Sequence, residues 1–160
     1  MSIIGDYITH QKGLFQSALN EIINSSKQKS YPINDERVIN WNILFTDESA
    51  LEAWETILIK NNKIEMIKYG YEYRRPSGFF FFYELDKEGG NKFEKLKKPK
   101  YHLHVGVTKE CITFAQQIPE LIEHRGPHYK VPPVTIDEIV GIIVLNFFPD
   151  NTDLLDKLNI

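Results

Sequence analysis

The chain has 160 residues, is 42% hydrophobic and 26% charged, and carries a formal net charge of -3. These values describe one globular domain able to bury a single core, and they exclude a fully disordered chain. The charge balance argues against a wholly basic, nucleic-acid-coating surface, and any contact with nucleic acid must be local. Aromatic residues are abundant, with 10 Phe, 8 Tyr and 2 Trp. The single cysteine, Cys111, leaves no internal disulfide and no cysteine-rich zinc site. No apolar run approaches the roughly 20 residues of a membrane span. Met1–Gln11 lacks the basic start and apolar stretch of a signal peptide, so a cytoplasmic protein without membrane contact is expected.

In chain order, Tyr7 to Ser26 predicts an amphipathic helix. Leu14, Phe15, Ala18, Leu19, Ile22 and Ile23 recur at three and four residues. Polar Lys27–Pro32 is read as its end, so that residues 1–31 form a helix and linker. Arg37–Phe45 alternates, with Ile39, Trp41, Ile43 and Phe45 on one side, as in a half-buried strand. Leu51–Lys60 fits helix and strand periods alike. Its β-branched Thr56, Ile57 and Ile59 favour a strand. Asn61-Asn62-Lys63 reads as a turn.

Ile64–Arg75 and Phe79–Leu85 predict a hairpin across Pro76-Ser77-Gly78, since Pro presets the turn and Gly accepts positive φ. That loop would set Arg75 opposite Phe79, Tyr73 opposite Phe81 and Tyr71 opposite Tyr83. Phenylalanines on both faces of Phe79–Phe82 imply a strand at least partly covered on two sides. Lys87–Lys100 reads as a lysine-rich loop, and Tyr101–Val107 as a further strand. Residues 108–133 read as an irregular insertion. Thr135-Ile136-Asp137-Glu138 is a capping box. The stripe Ile136, Ile139, Val140, Ile143, Val144 and Phe147 continues it into a helix over residues 135–148, ended by Pro149. The expected architecture is α+β: one domain with an antiparallel sheet of four to five strands, mainly within 37–107, and a helix packed on it from each end.

Tyr101-His102-Leu103-His104-Val105-Gly106 is the first candidate for chemistry. On a strand, His102 and His104 share a face, while Leu103 and Val105 point to the core. Paired imidazoles serve as general acid and base, or as metal ligands. An exposed strand face with two incidental histidines has the same pattern. His128 and Glu84 are available as further ligands, but no familiar zinc or iron spacing is present, and no metal or cofactor is assigned.

The hairpin is the second candidate. Arg74 and Arg75 offer planar forks for phosphate, and Tyr73 and Tyr83 offer faces for bases. Simple solvation of a hairpin tip explains the arginines equally. The third is Arg125-Gly126-Pro127-His128-Tyr129-Lys130, a polar cluster on a constrained loop. Lys98, Lys100 and their neighbours can meet phosphates or can line a solvated loop.

The order of these features resembles the TumE-type family of small prokaryotic toxin-antitoxin proteins. The resemblance runs through Tyr71-Glu72-Tyr73, Ser77-Gly78 with the aromatic strand ending Tyr83-Glu84, His102-Leu103-His104, and the Thr135-Ile136-Asp137-Glu138 helix start. It covers about Val38 to Val144 and sets Glu55 at the family's acidic strand position. The family's Tyr-Asp is Tyr83-Glu84 here, the lysine loop is longer, and Thr108–Pro132 is additional. The resemblance implies a toxin neutralised by a partner antitoxin of helix-turn-helix type. The expected action is on RNA, with His102, His104, Glu84 and Arg74 as catalytic residues. Arg75, Tyr71, Tyr73, Tyr83, His128, Lys98 and Lys100 would contact the substrate. A non-enzymatic protein-binding module and a metal-dependent hydrolase are the alternatives.

Overall fold

The computed structural model describes residues 3–86, 90–107, 128–158 and 160. Thr108–Arg125, Gly126-Pro127 and Cys111 lie outside the described residues.

The fold is α+β, with an antiparallel sheet and a helix near each end of the chain. The sheet is a meander of seven strands in sequence order, more than the four or five expected. These are β1 (Ile23–Ile33), β2 (Glu36–Phe45), β3 (Ala50–Lys60), β4 (Lys63–Arg74), β5 (Phe79–Leu85), β6 (Tyr101–Val107) and β7 (Tyr129–Lys130). Helix α1 (Ile3–Gly13) continues into a π-helical turn, Leu14–Ala18. Helix α2 is the short Lys92–Lys97, helix α3 is Ile136–Phe147, and a 3-10 segment spans Pro149–Lys157.

The two added strands, β1 and β7, correct the sequence reading. The expected helix to Ser26 stops early, and Ile23–Ile33, including the presumed linker, is the edge strand β1. Its lysines, Lys27 and Lys29, are exposed on an edge strand, a placement that discourages further strand pairing. Propensity alone does not separate such a polar edge from a linker, because its partner β2 supplies the order. Tyr129–Lys130, assigned to an irregular insertion, pairs with β6. Two residues are too few for an alternating pattern to register. Within the lysine loop, Asn91 caps α2 through a capping box with Glu94.

The hairpin β4–β5 has the expected register, with Tyr71 opposite Tyr83 and Tyr73 opposite Phe81. Arg75 N–H donates to the Phe79 carbonyl at 2.9 Å, and Gly78 takes φ 83°. Asn61 and Asn62 both have positive φ, the requirement of a tight two-residue hairpin that asparagine meets at low cost. Thr135 caps α3 as expected, and Ile136, Ile139, Val140, Ile143 and Val144 are buried.

All the longer helices lie on one face of the sheet. That face carries Ile39, Trp41, Ile43 and Phe45 of β2, Leu51, Ala53 and Ile57 of β3, and Tyr71, Tyr73 and Phe81 of the hairpin. Phe15 meets Trp41 edge-on at 4.9 Å, and Phe147 of α3 lies over Tyr73 at 5.0 Å. Asp137 of α3 is buried and pairs with His10 at 3.0 Å, and within the core sits a second buried carboxyl, Glu55. It accepts from Tyr71 Oη at 2.7 Å, Gln11 Nε2 at 2.9 Å and Tyr7 Oη at 2.9 Å. Gln11 in turn accepts from Trp41 Nε1 at 2.9 Å, so a polar chain ties α1 to the sheet. No helix among the described residues is long and apolar enough to cross a membrane.

Candidate functional site

The second face of the sheet carries the candidate site, and strand register builds it. Phe82 pairs with His104, and Glu84 pairs with His102. On the far side of β6, His102 pairs with Lys130 and Leu103 with Tyr129, so the same register sets His128 opposite His104. Period-two alternation then points six side chains to one face in two rows. One row is Phe82, His104 and His128; the other is Glu84, His102 and Lys130.

The three imidazoles converge. Ring centroids are 5.1 Å apart for His102 and His104, 4.9 Å for His102 and His128, and 4.3 Å for His104 and His128. One ring nitrogen from each lies within 4.8 Å of the others. His102 and His104 are buried and His128 is half-buried. The strand face that carries His102 and His104 is therefore not an exposed one. Leu103 and Val105 pack against the helix-side core, as alternation requires.

Two contacts fix the His102 ring. Its Nδ1 is 2.7 Å from the carbonyl oxygen of Pro99 and its Nε2 is 3.0 Å from Glu84 Oε2. A carbonyl can only accept, so Nδ1 carries a proton there. Phe82 stacks on His104 at 5.8 Å, with the ring planes 19° apart, and so holds that imidazole flat against β5.

Beside the cluster opens a cleft of about 670 Å³, lined by Lys92, Lys95, Lys100, Tyr101, His128, Tyr129 and Lys130 among others. His128 belongs to both cluster and cleft. The lysines come from α2, from the residue before β6, and from β7. A chain of net charge -3 therefore concentrates four ammonium groups on one concavity. Lys98 points elsewhere: its Nζ is 2.6 Å from Asp86 Oδ2, and this pairing raises its pKa.

The other residues expected at the site are dispersed. Arg74 shares the histidine face but pairs with Glu72 and covers the Phe80 ring, at 5.2 Å from its centroid. It lies opposite Phe80, four residues along β5 from Glu84, or about 13 Å at strand rise. Arg75 Nη2 bonds Asp47 Oδ2 at 3.1 Å, and its guanidinium sits over Phe147. Tyr71 and Tyr73 were expected to hold bases, but both are buried on the helix side and leave no ring face for a ligand. Tyr71 serves Glu55, and Tyr73 donates to Ser49 Oγ at 2.9 Å. Burial holds the Tyr73 hydroxyl protonated, with its pKa raised to about 12. Tyr83, edge-on to Phe81, also lies on the helix side. Lys92 and Lys95 belong to the lysine run, and Lys130 to the His128 loop, that the sequence marks as candidates, but neither pattern shows that they meet at one cleft. A two-residue alternation, His128 and Lys130 about Tyr129, was the available signal.

No protein-family model, curated protein or solved structure matches this chain.

Proposed function

We propose that this protein is a toxin component that acts on RNA, with the histidine cluster as its reactive centre and the lysine cleft as its phosphate-binding surface. The observation that carries this reading is the position of His128, at once part of the three-imidazole cluster and of the wall formed by Lys92, Lys95, Lys100 and Lys130. Cleaving a phosphodiester requires proton movement at the attacking and leaving oxygens and positive charge opposite the phosphate. The cluster meets the first need and the lysines the second. Flexible ammonium groups suit a backbone ligand, because they neutralise phosphates without reading bases. Arg74 is replaced in this role by the lysines, since Glu72 and Phe80 occupy its guanidinium. Tyr129, half exposed beside the lysines, supplies an aromatic face for a base in place of Tyr71 and Tyr73. The resemblance to TumE-type toxins supports the biological setting, and an antitoxin of helix-turn-helix type is the partner it implies.

The test is induced expression in a bacterial host, with RNA from the culture followed by sequencing of 5′ ends. The wild-type chain is expected to arrest growth and produce new RNA ends. The His102→Ala/His104→Ala variant, at equal soluble level, should do neither. Undiminished arrest by that variant, or arrest with intact RNA, overturns the reading.

A further inference from the structure

We infer that His102, His104 and His128 form a three-histidine site for a divalent transition-metal ion, with zinc the best fit and Glu84 at its edge. The inference rests on the cluster of the proposed function and specifies it: an ion held there would lower the pKa of a bound water and so supply the proton movement assigned to the cluster.

Three independent features of the geometry converge on it. The first is donor type and number. Three imidazoles around one point are a set that selects zinc and its transition-metal neighbours over magnesium and calcium, which prefer oxygen. The donor nitrogens lie within 4.8 Å of one another. Bonds of about 2.0 Å at tetrahedral angles hold donors about 3.3 Å apart. The closure required is at most about 1.5 Å, and a turn of the half-buried His128 ring, at the start of the short β7, supplies it.

The second is the tautomer of His102. Its Nδ1–H donates to the Pro99 carbonyl at 2.7 Å. Metal-binding histidines recurrently give their outer N–H to a carbonyl or carboxylate, which fixes the ring and presents the other nitrogen's lone pair. Pro99 sits three residues before His102 and is itself buried, so this support is built into the approach to β6.

The third is the place where that lone pair points. With Nδ1 engaged by the Pro99 carbonyl, Nε2 is the nitrogen left to face an ion, and it stands 3.0 Å from Glu84 Oε2, which sets a carboxylate at the edge of the site. The nearby imidazoles of His104 and His128 bring a second and a third nitrogen donor. Three histidines fill three positions of a tetrahedral ion and leave the fourth for water or substrate, as in catalytic rather than structural zinc sites.

The experiment is zinc titration of the untagged, metal-stripped full-length chain by isothermal calorimetry, with magnesium as the comparison. About one zinc per chain is expected, with no magnesium uptake at the same concentration. His128→Ala is the informative variant, because its ring lies at the margin of the fold, and it should bind zinc at least about 100-fold more weakly. Glu84→Gln should weaken binding about tenfold, as loss of a supporting group does. Cobalt loaded into the wild-type chain gives a variant-independent readout. An intense visible spectrum of tetrahedral cobalt supports the site, and the weak spectrum of hexa-aqua cobalt overturns it. Absence of zinc uptake, or uptake unchanged by His128→Ala, also overturns it. Zinc binding without RNA cleavage leaves this site standing and removes the RNA reading. RNA cleavage by a chain that takes up no zinc does the reverse.

Discussion

Glu84 and His102 face each other across β5 and β6, with Oε2 and Nε2 3.0 Å apart, while the opposite nitrogen of the ring meets the Pro99 carbonyl. The pair holds one imidazole in a single orientation from two sides. Neither partner comes from the hairpin tip, where the arginines drew attention; both come from the next strand pair along the sheet.

In the proposed function Glu84 is therefore a positioning residue for His102. Glu84→Gln keeps the size of the side chain but removes its charge. The expected result is a tenfold to hundredfold fall in RNA cleavage, about the size of the effect of losing a ligand-orienting group. RNA affinity should stay within about twofold, because the lysines and not Glu84 line the cleft. A fall in affinity equal to the fall in rate would show that Glu84 acts on binding and not on the ring.

The lysine cleft makes a separate prediction through salt. Lys95→Gln combined with Lys130→Gln should weaken RNA binding and flatten its salt dependence. Each lost phosphate contact on a single strand takes about 0.7 from the slope of log affinity against log salt, so the double variant should lose about 1.4. Fluorescence anisotropy with a labelled single-stranded RNA over a range of salt concentrations measures this directly. An unchanged slope would place the RNA elsewhere.

The fold was legible wherever burial is one-sided. Ile39, Trp41, Ile43 and Phe45 alternate because only one face of β2 is covered, and α3 declares itself through Thr135, Glu138 and a continuous apolar stripe. β1 was hidden because a polar edge strand takes its order from its neighbour. β7 was hidden because two residues show no period. The site was half legible for the same reason. His102 and His104 announce themselves by spacing, whereas His128 joins them only through the β6–β7 register, which no local pattern encodes. The tyrosines misled because an aromatic at alternating positions reads alike as a base platform or as core, and Tyr71 and Tyr73 are core.

Gly70 marks a close approach between strands. A Cβ there would overlap the indole of Trp54, the residue it pairs with on β3. Gly70→Ala should cost about 1–3 kcal/mol, the range for overpacking a well-filled contact. Urea unfolding reads the loss as a lower midpoint at unchanged slope. Adding Trp54→Leu should recover part of it, since the neighbour that blocks the methyl group is then smaller. No recovery would mean that backbone conformation, not the indole, requires glycine.

Glu55 makes the strongest prediction about stability. Burial raises its pKa above the ordinary 4.5, although the bonds from Tyr71, Gln11 and Tyr7 pull the other way. The folded chain thus holds this proton more tightly than the unfolded chain does. Below the ordinary carboxyl value both states are protonated, and the group adds no pH dependence. As pH rises above about 4.5 the unfolded chain ionises first, and stability falls until the folded-state carboxyl has also ionised. Glu55→Gln cannot ionise, so its unfolding midpoint should lack that component, and the wild type minus variant difference should become less favourable with rising pH and then level off. Glu55→Ala should lose about 3 kcal/mol or more at any pH, because donors from Tyr71, Gln11 and Tyr7 would be left buried without their acceptor. Urea midpoints for the three proteins, taken between about pH 4 and pH 8, decide the matter. Parallel curves for wild type and Glu55→Gln would show that the carboxylate is ionised with no penalty, its three hydrogen bonds having fully offset the cost of burial.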